Sequence, residues 1–540
     1  MRHVRPSVLA LLLAWSSPAL AAWPASGIVV ADLRYSHIRS KVVLVPDGGH
    51  GVIVHAGLWQ TTSRVDPEGA VLWSVNPFAT ASLPASTSYA NATDGAGGLW
   101  FATQDANRSL VAVHYDATGS LQGDVVPVSE NLPGEQYTDA AVPDGAGGMF
   151  VVWSSPSYTG EIRATRVDAG GNVIGPPGGV VVFGGPGALI FGGAESDGMG
   201  GLLVMTPEGG TTVQRLDATL TPRYGAGAVV AAPGVTGAFA LAATGDGGAF
   251  VAWPEGAGAS ARVRVQRLDA SGSVAPGWPA EGAIAARPTH DPSEVHVIAD
   301  GTGGASVAWL EPSYDVPTGD VRVSRVLANG RPAQGWAPEG VLAGGGQEPS
   351  LASPSVLVAD GTGGCYVAWP DQALYRGRAY VQHLSADGQI FPGWPAHGLT
   401  LESELHNNEK VFALADGAGG LYVAWDQVTY PMELRNVRLI RLGPGGESRE
   451  QTRPQPSLSL ARVAPNPASG YFTASATLPD DRPARLEVFD LAGRLTHSRE
   501  IQGPGEHGLT LDGTRLATGV HWMRLVHPTG VRMARIVVVH

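Results

Sequence analysis

"DGTGGCYVAW", residues 360–369, is written again with small changes as "DGTGGASVAW" from Asp300, "DGAGGLYVAW" from Asp416 and "DGAGGMFVVW" from Asp144. Its first half is a hairpin turn, where Asp and Gly supply positive φ and Gly leaves the Cβ space free. Its second half alternates as a strand: Cys365, Val367 and Trp369 point to one face, Tyr366 and Ala368 to the other. Both faces are apolar, so the strand must be covered on both sides. A Gly-rich phosphate cradle would lead into a helix, and here a strand follows.

Aligned on this turn, copies begin at Asp47, Asp94, Asp144, Asp197, Thr244, Asp300, Asp360 and Asp416. Nine residues later stand Trp153, Trp253, Trp309, Trp369 and Trp425, with Thr103 and Thr206 replacing Trp in two of the earlier copies. Two further phrases repeat. "VQRLDASG" (265–272) returns as "VSRVLANG" (323–330) and "VQHLSADG" (381–388). "GWPAEG" (277–282) returns as "GWAPEG" (335–340) and "GWPAHG" (393–398), and "AWPASGIVV" from Ala22 starts the series. A unit starting at that phrase predicts four short strands, around "GVLAG" (340–344), "PSVLVAD" (354–360), "CYVAWP" (365–370) and "RAYVQHLS" (378–385) in one copy.

Four antiparallel strands recurring at this period predict an all-β chain whose main body is a β-propeller. Eight anchors give eight blades, or seven with an orphan hairpin. Closing the ring covers the faces and edges that a lone sheet leaves open. The repeated Trp is then expected between blades, each burying some 150–250 Å². The competing reading is a ring of exposed aromatics that stack on sugars. The repeat matches no named propeller family: the Trp-Asp ending of one and the S-x-D-x-G-x-T-W box of another are both missing.

The bulk numbers agree with this architecture. In 540 residues, 74 are Gly and 41 Pro, spread evenly between short apolar runs, as many tight turns require. The formal net charge is −13 without a basic tract, and Lys41 and Lys410 are the only lysines. Nucleic acid and anionic membrane surfaces both require clustered cations, so neither is an expected partner. A single cysteine, Cys365, excludes an intrachain disulfide and a cysteine-based metal site. At the N-terminus, Arg2 and Arg5 precede an apolar run from Val8 to Trp15 and then Ala19-Leu20-Ala21. This is the pattern of a secretory signal peptide over 1–21, too short to span a bilayer. The expected location is secreted or at the outer cell surface, reached through the periplasm and without a membrane span.

After Gly446 the repeat stops. Residues 22–446 are assigned to the propeller, the polar stretch "ESREQTRPQPSLSL" (447–460) to a linker, and 461–540 to a separate module. Seven strand patterns in that module predict a small immunoglobulin-like sandwich. "APNPASG" (464–470), "LEVFDLAGRL" (486–495), "LATGVHWMRL" (516–525) and "ARIVVVH" (534–540) follow in order. The set resembles the type A sorting domain of bacterial type IX secretion cargo and the related FlgD-type immunoglobulin-like domain. The matching positions are Pro465, Asn466, Pro467, Asp490, Gly493, Arg494 and Gly519. His521-Trp522 stands where that family usually has Tyr-Phe. The resemblance implies export, with the secretion machinery as partner. The same residues also have a plain turn-building reading.

Motifs for chemistry are scarce. G-x-S-x-G, H-E-x-x-H and a Cys–His nucleophile pair are missing. "HDPSEVH" brings His290, Asp291, Glu294 and His296 close in sequence, in a segment expected as a polar loop rather than a metal site. No catalytic, cofactor or metal residue is assigned. The expected function is a secreted binding or scaffold protein whose propeller carries an extracellular protein or glycan ligand, more a binder than an enzyme. The alternative is a polysaccharide hydrolase or lyase with its site in the axial funnel, which a cluster of carboxylates on one rim would favour.

Overall fold

The computed structural model describes residues 23–24, 27–32, 42–56, 61–84, 86, 88–129, 136–155, 160–185, 190–207, 210–230, 239–312, 319–345, 356–371, 378–401, 406–429, 434–448, 458–464, 466–478, 482–501 and 505–539. The signal-peptide segment 1–21 lies outside them. The chain divides into two compact units, with the boundary in sequence after Glu450.

Among the described residues, the first unit holds eight antiparallel sheets. The sixth is typical: Ser293–Ala299, Ala305–Pro312, Gly319–Val326 and Val341–Gly345 pair in chain order. First strands of successive sheets lie against one another around a closed circuit, and His406–Ala415 of the eighth sheet meets Val42–Pro46 of the first. This is the β-propeller. The sequence unit and the sheet are out of phase by one strand. "GVLAG" opens a unit in sequence, yet it pairs with Gly319–Val326 before it. The strand Ile28–Asp32 therefore becomes the fourth strand of the eighth sheet, with Ile28 opposite Leu439 and Asp32 opposite Asn436.

Each residue of the D-G-x-G-G turn has its own duty. Gly301 and Gly303 hold φ of 76° and 92°, which L-residues disfavour. Gly304 is needed for space: a Cβ there would lie 2.3 Å from the Val326 carbonyl. Asp300 does not supply positive φ as the sequence suggested. Its Oδ1 accepts the N–H groups of Thr302 and Gly304, and its Oδ2 pairs with Arg325 at 2.8 Å.

That arginine explains two of the repeated phrases together. Arg325 Nη1 donates to the Ala386 carbonyl in the next sheet, and Trp336 Nε1 of "GWAPEG" donates to the same oxygen. Arg64 and Trp73 share the Ala117 carbonyl, and His383 and Trp394 share that of Pro444. At the closure, Arg441 of the eighth sheet and Trp23 share the Pro67 carbonyl of the first. In these four sheets the turn Asp orients an Arg or His side chain, and that side chain and an indole latch the sheet to its successor.

The second Trp column packs between sheets. Trp309, Trp369 and Trp425 are 0%, 4% and 0% exposed. Trp309 lies among Phe250, Ala252, Val263 and Val265 of the fifth sheet, and Trp369 among Ala308, Val321 and Val323 of the sixth. The last Gly of the "GWP" phrase makes room. A Cβ on Gly340 would meet Trp309 Cη2 at 2.3 Å, and one on Gly398 would meet Trp369 Cη2 at 2.9 Å. Cys365 shares the buried face of Trp369, and burial pushes its thiol up to about 12, so it is a packing residue.

The described residues of the second unit form a seven-stranded sandwich. One sheet pairs Ser459–Ala464, Tyr471–Leu478 and Gly505–Asp512; the other runs Leu495–Ile501, Ala484–Phe489, Gly519–His527, Gly530–Val538. Phe472, Leu478, Leu486, Val488, Met523, Leu525, Ile536 and Val538 fill the space between them. Strand Ser459–Ala464 begins within the stretch assigned to the linker.

Candidate functional site

Two regions carry functional features: the end of the C-terminal sandwich and the axis of the ring. In the sandwich, the motif residues separate into two groups. Asn466 reaches the last strand, where its Oδ1 accepts the Val537 N–H at 2.8 Å and its Nδ2 donates to the Arg535 carbonyl at 2.9 Å. Just after Pro467, Ala468 continues the contact by exchanging backbone bonds with Val537 and Val539. Gly519 pairs with Val538 from the other side. The first and last motifs are thus parts of one structure, a C-terminal strand whose outer edge is covered rather than left open. Pro465 lies outside the described residues.

Asp490, Gly493 and Arg494 sit apart, at the hairpin joining Ala484–Phe489 to Leu495–Ile501. Asp490 Oδ1 accepts the Arg494 N–H at 2.9 Å, Oδ2 accepts Arg494 Nε at 3.0 Å, and Gly493 takes φ 76°. At the departure from the family pattern, His521 points inward and donates Nε2 to the Ala517 carbonyl, while Trp522 is exposed. The buried aromatic position is kept by a smaller ring with a hydrogen bond.

On the ring axis, one rung of first-strand residues is identified by its partners. Ala140, Gly193, Ala240, His296 and Val356 pair with the residue preceding the Trp column in sheets three to seven. Three of the five are Ala or Gly, so the rung leaves space, and a cavity of about 730 Å³ opens there. That volume lies within the usual range for ligand pockets. Phe191, Phe239, Glu195, Glu294 and His296 also line it.

Glu195 lines the cavity with an exposed side chain, and desolvation by the protein crowded around it lifts its carboxyl to about 7. Glu294 sits where the first strand bulges between Ser293 and His296, at φ 50°. Its Oε2 is buried without a hydrogen-bond partner, and burial raises its pKa. Burial lowers the pKa of His296, which favours the neutral ring. "HDPSEVH" is therefore divided by the bulge. His290 leans on Glu311, Asp291 accepts the Gly258 N–H at 2.6 Å, and only Glu294 and His296 enter the cavity. Among the described residues, no group of three His, Cys, Asp or Glu side chains is arranged to hold a metal.

Sequence reasoning did not single out Glu195, Phe191 or Phe239. A signal for the first exists. Glu195 stands two residues before its turn Asp, where other copies have Val142, Ala242, Ile298, Val358 and Leu414. A charge in an otherwise apolar column marks a side chain that faces something other than core.

Residues 462–539 match the family described as "Secretion system C-terminal sorting domain". The chain therefore carries a type IX sorting tail, which indicates delivery to the cell surface or the extracellular space. No curated protein matches the chain. Solved structures share the propeller-like form. BamB from Moraxella catarrhalis is 15% identical over 74% of this chain and 98% of its own, with a TM-score of 0.34. A quinohemoprotein alcohol dehydrogenase from Comamonas testosteroni is 13% identical over 82% and 79%, at 0.39. BP39L lectin from Burkholderia pseudomallei is 12% identical over 68% and 98%, at 0.37. At these scores nothing of their activities transfers. No helix among the described residues is long and apolar enough to cross a membrane.

Proposed function

We propose that this protein is an extracellular binding protein: the sandwich engages a type IX secretion machinery, and the propeller presents a ligand site on its axis. The observation that carries the binding role is the cavity opened by Ala140, Gly193 and Ala240 on one rung of the ring. The route through a signal peptide at 1–21 and the FlgD-like character of the sandwich belong to the same proposal.

A second reading, a glycoside hydrolase or lyase, draws support from the two carboxyls lining one cavity. Glycosidic cleavage divides labour between a protonated acid and an ionised partner. Burial raises both Glu195 and Glu294, a shared direction that does not by itself assign an acid and an ionised partner. Binding is the reading preferred.

Two measurements test the proposal. Deleting Gln451–His540 in the native host is expected to strand the chain in the periplasm, and normal arrival at the surface refutes the sorting role. The full mature chain is expected to bind without turnover in a polysaccharide panel. Cleavage lost in both Glu195→Gln and Glu294→Gln would establish the enzyme instead.

A further inference from the structure

We infer that the cavity on the ring axis binds a small organic cation bearing an alkylated ammonium group, held by Glu294 and the rings of Phe191 and Phe239. The inference rests on the binding reading above and specifies its ligand.

The buried carboxylates of the propeller show what is unusual here. Asp144, Asp197, Asp300, Asp416 and Glu311 each lie against an arginine. Glu195 and Glu294 have no such partner among the described residues. Of all the described Asp and Glu side chains with a resolved shift, only these two are pushed upward; the rest are pulled down. An ionised carboxylate in such surroundings costs free energy unless a cation meets it. The protein supplies none: no Lys or Arg is among the described lining residues, and His296 favours its neutral form.

The position of the aromatics decides what kind of cation fits. Phe191 lies six residues before the turn at Asp197, Phe239 five before Thr244, and Glu294 six before Asp300. Three successive sheets therefore bring two phenyl rings and one carboxyl to the same end of the cavity, away from the turns. Both rings are half-buried and pack their bodies on the inter-sheet cores. Phenyl rings offer no hydrogen-bond acceptor for a strongly hydrated ion. Their faces attract weakly hydrated alkylammonium groups through the ring quadrupole. The single carboxyl supplies the opposite charge, and Ala240 and Gly193 leave room for the methyl groups.

Titration calorimetry on the full mature chain at pH 8 tests this with choline and its uncharged isostere 3,3-dimethylbutan-1-ol. Choline is expected to bind, with the isostere weaker by about tenfold or more. Glu294→Gln is expected to lose about tenfold in choline affinity while melting at the same or a higher temperature, because a carboxylate whose Oε2 is buried without a partner has been removed. Phe239→Leu is expected to weaken choline severalfold and the isostere little. Equal binding of choline and isostere, or an unchanged affinity in Glu294→Gln, overturns the cation assignment. The same titrations with neutral methyl glycosides separate the two levels. Glycoside binding that Phe239→Leu abolishes, with no choline binding, overturns the cation but keeps the binding site. Failure of every probe overturns both.

Discussion

Trp309→Phe and Gly340→Ala, made singly and together, test whether the repeated Trp and the repeated "GWP" Gly are one packing unit. Gly340 holds φ 88°, and a Cβ would lie 2.3 Å from Cη2 and 2.6 Å from Cζ2 of Trp309. Alanine there carries two penalties. Left-handed backbone costs about 1–2 kcal/mol, and forcing a methyl against a packed ring costs about 1–3 kcal/mol. The single variant should lose roughly 2–5 kcal/mol. Phenylalanine removes the outer indole carbons, so in that background only the backbone penalty of about 1–2 kcal/mol remains. The expected coupling is about 1–3 kcal/mol. Trp309→Phe alone should be milder than the about 3–5 kcal/mol of an alanine truncation, because it also removes Nε1, which is buried without a partner. The assay is calorimetric unfolding of the full chain. At about 2.1 cal/mol/K per residue over the ring unit Ala22–Glu450, each kcal/mol shifts Tm by about 1 °C if the ring melts as one. Equal penalties for Gly340→Ala in both backgrounds would refute the shared packing.

Three other outcomes are expected. Asp300→Ala should cost about 3–5 kcal/mol by leaving the buried Arg325 unpaired. Asp246→Ala, whose carboxylate is 64% exposed and 3.5 Å from Arg267, should stay below about 1 kcal/mol; comparable losses in the two melts would contradict the latch. Asn466→Ala should speed hydrogen exchange at the Val537 amide roughly fivefold, the loss of one hydrogen bond, and unchanged exchange there would show that the last strand is held by other means. Glu195 has its carboxyl raised from 4.5 to about 7. The folded protein therefore binds more protons than the unfolded chain in that window, and stability falls as pH rises through it. Glu294, raised, adds slope of the same sign and His296, lowered, slope of the opposite sign, so Glu195→Gln should make the slope between pH 4.5 and 7 less negative, and an unaltered slope counts against the desolvation of Glu195.

Most of the fold was legible because repetition multiplies weak signals. One "DGTGG" is a common turn; eight aligned on the same strand, five of them followed by Trp, leave few architectures. The arginine latch was harder to see, since Arg325 and Ala386 are neighbours only across a sheet boundary. The phase of the repeat was misjudged for a related reason: sequence shows where a phrase recurs, while pairing decides to which sheet "GVLAG" belongs. The cavity was nearly invisible. It is made by side chains that are small, and absence of bulk at Ala140, Gly193 and Ala240 has no motif. Glu294 was noticed for its sequence neighbours, and only the bulge separated it from His290 and Asp291.

The one-strand offset has a consequence for how a finished molecule can arise. Ile28–Asp32 finds its partner only when Leu434–Leu442 exists, some 400 residues later. Bringing such distant ends together costs roughly 5 kcal/mol of loop entropy, which the strand pairing and the Trp23–Pro67 bond help to offset. The sorting module follows the closing strand in the chain. A truncated translation product therefore lacks the export address whenever it lacks the means to close its ring.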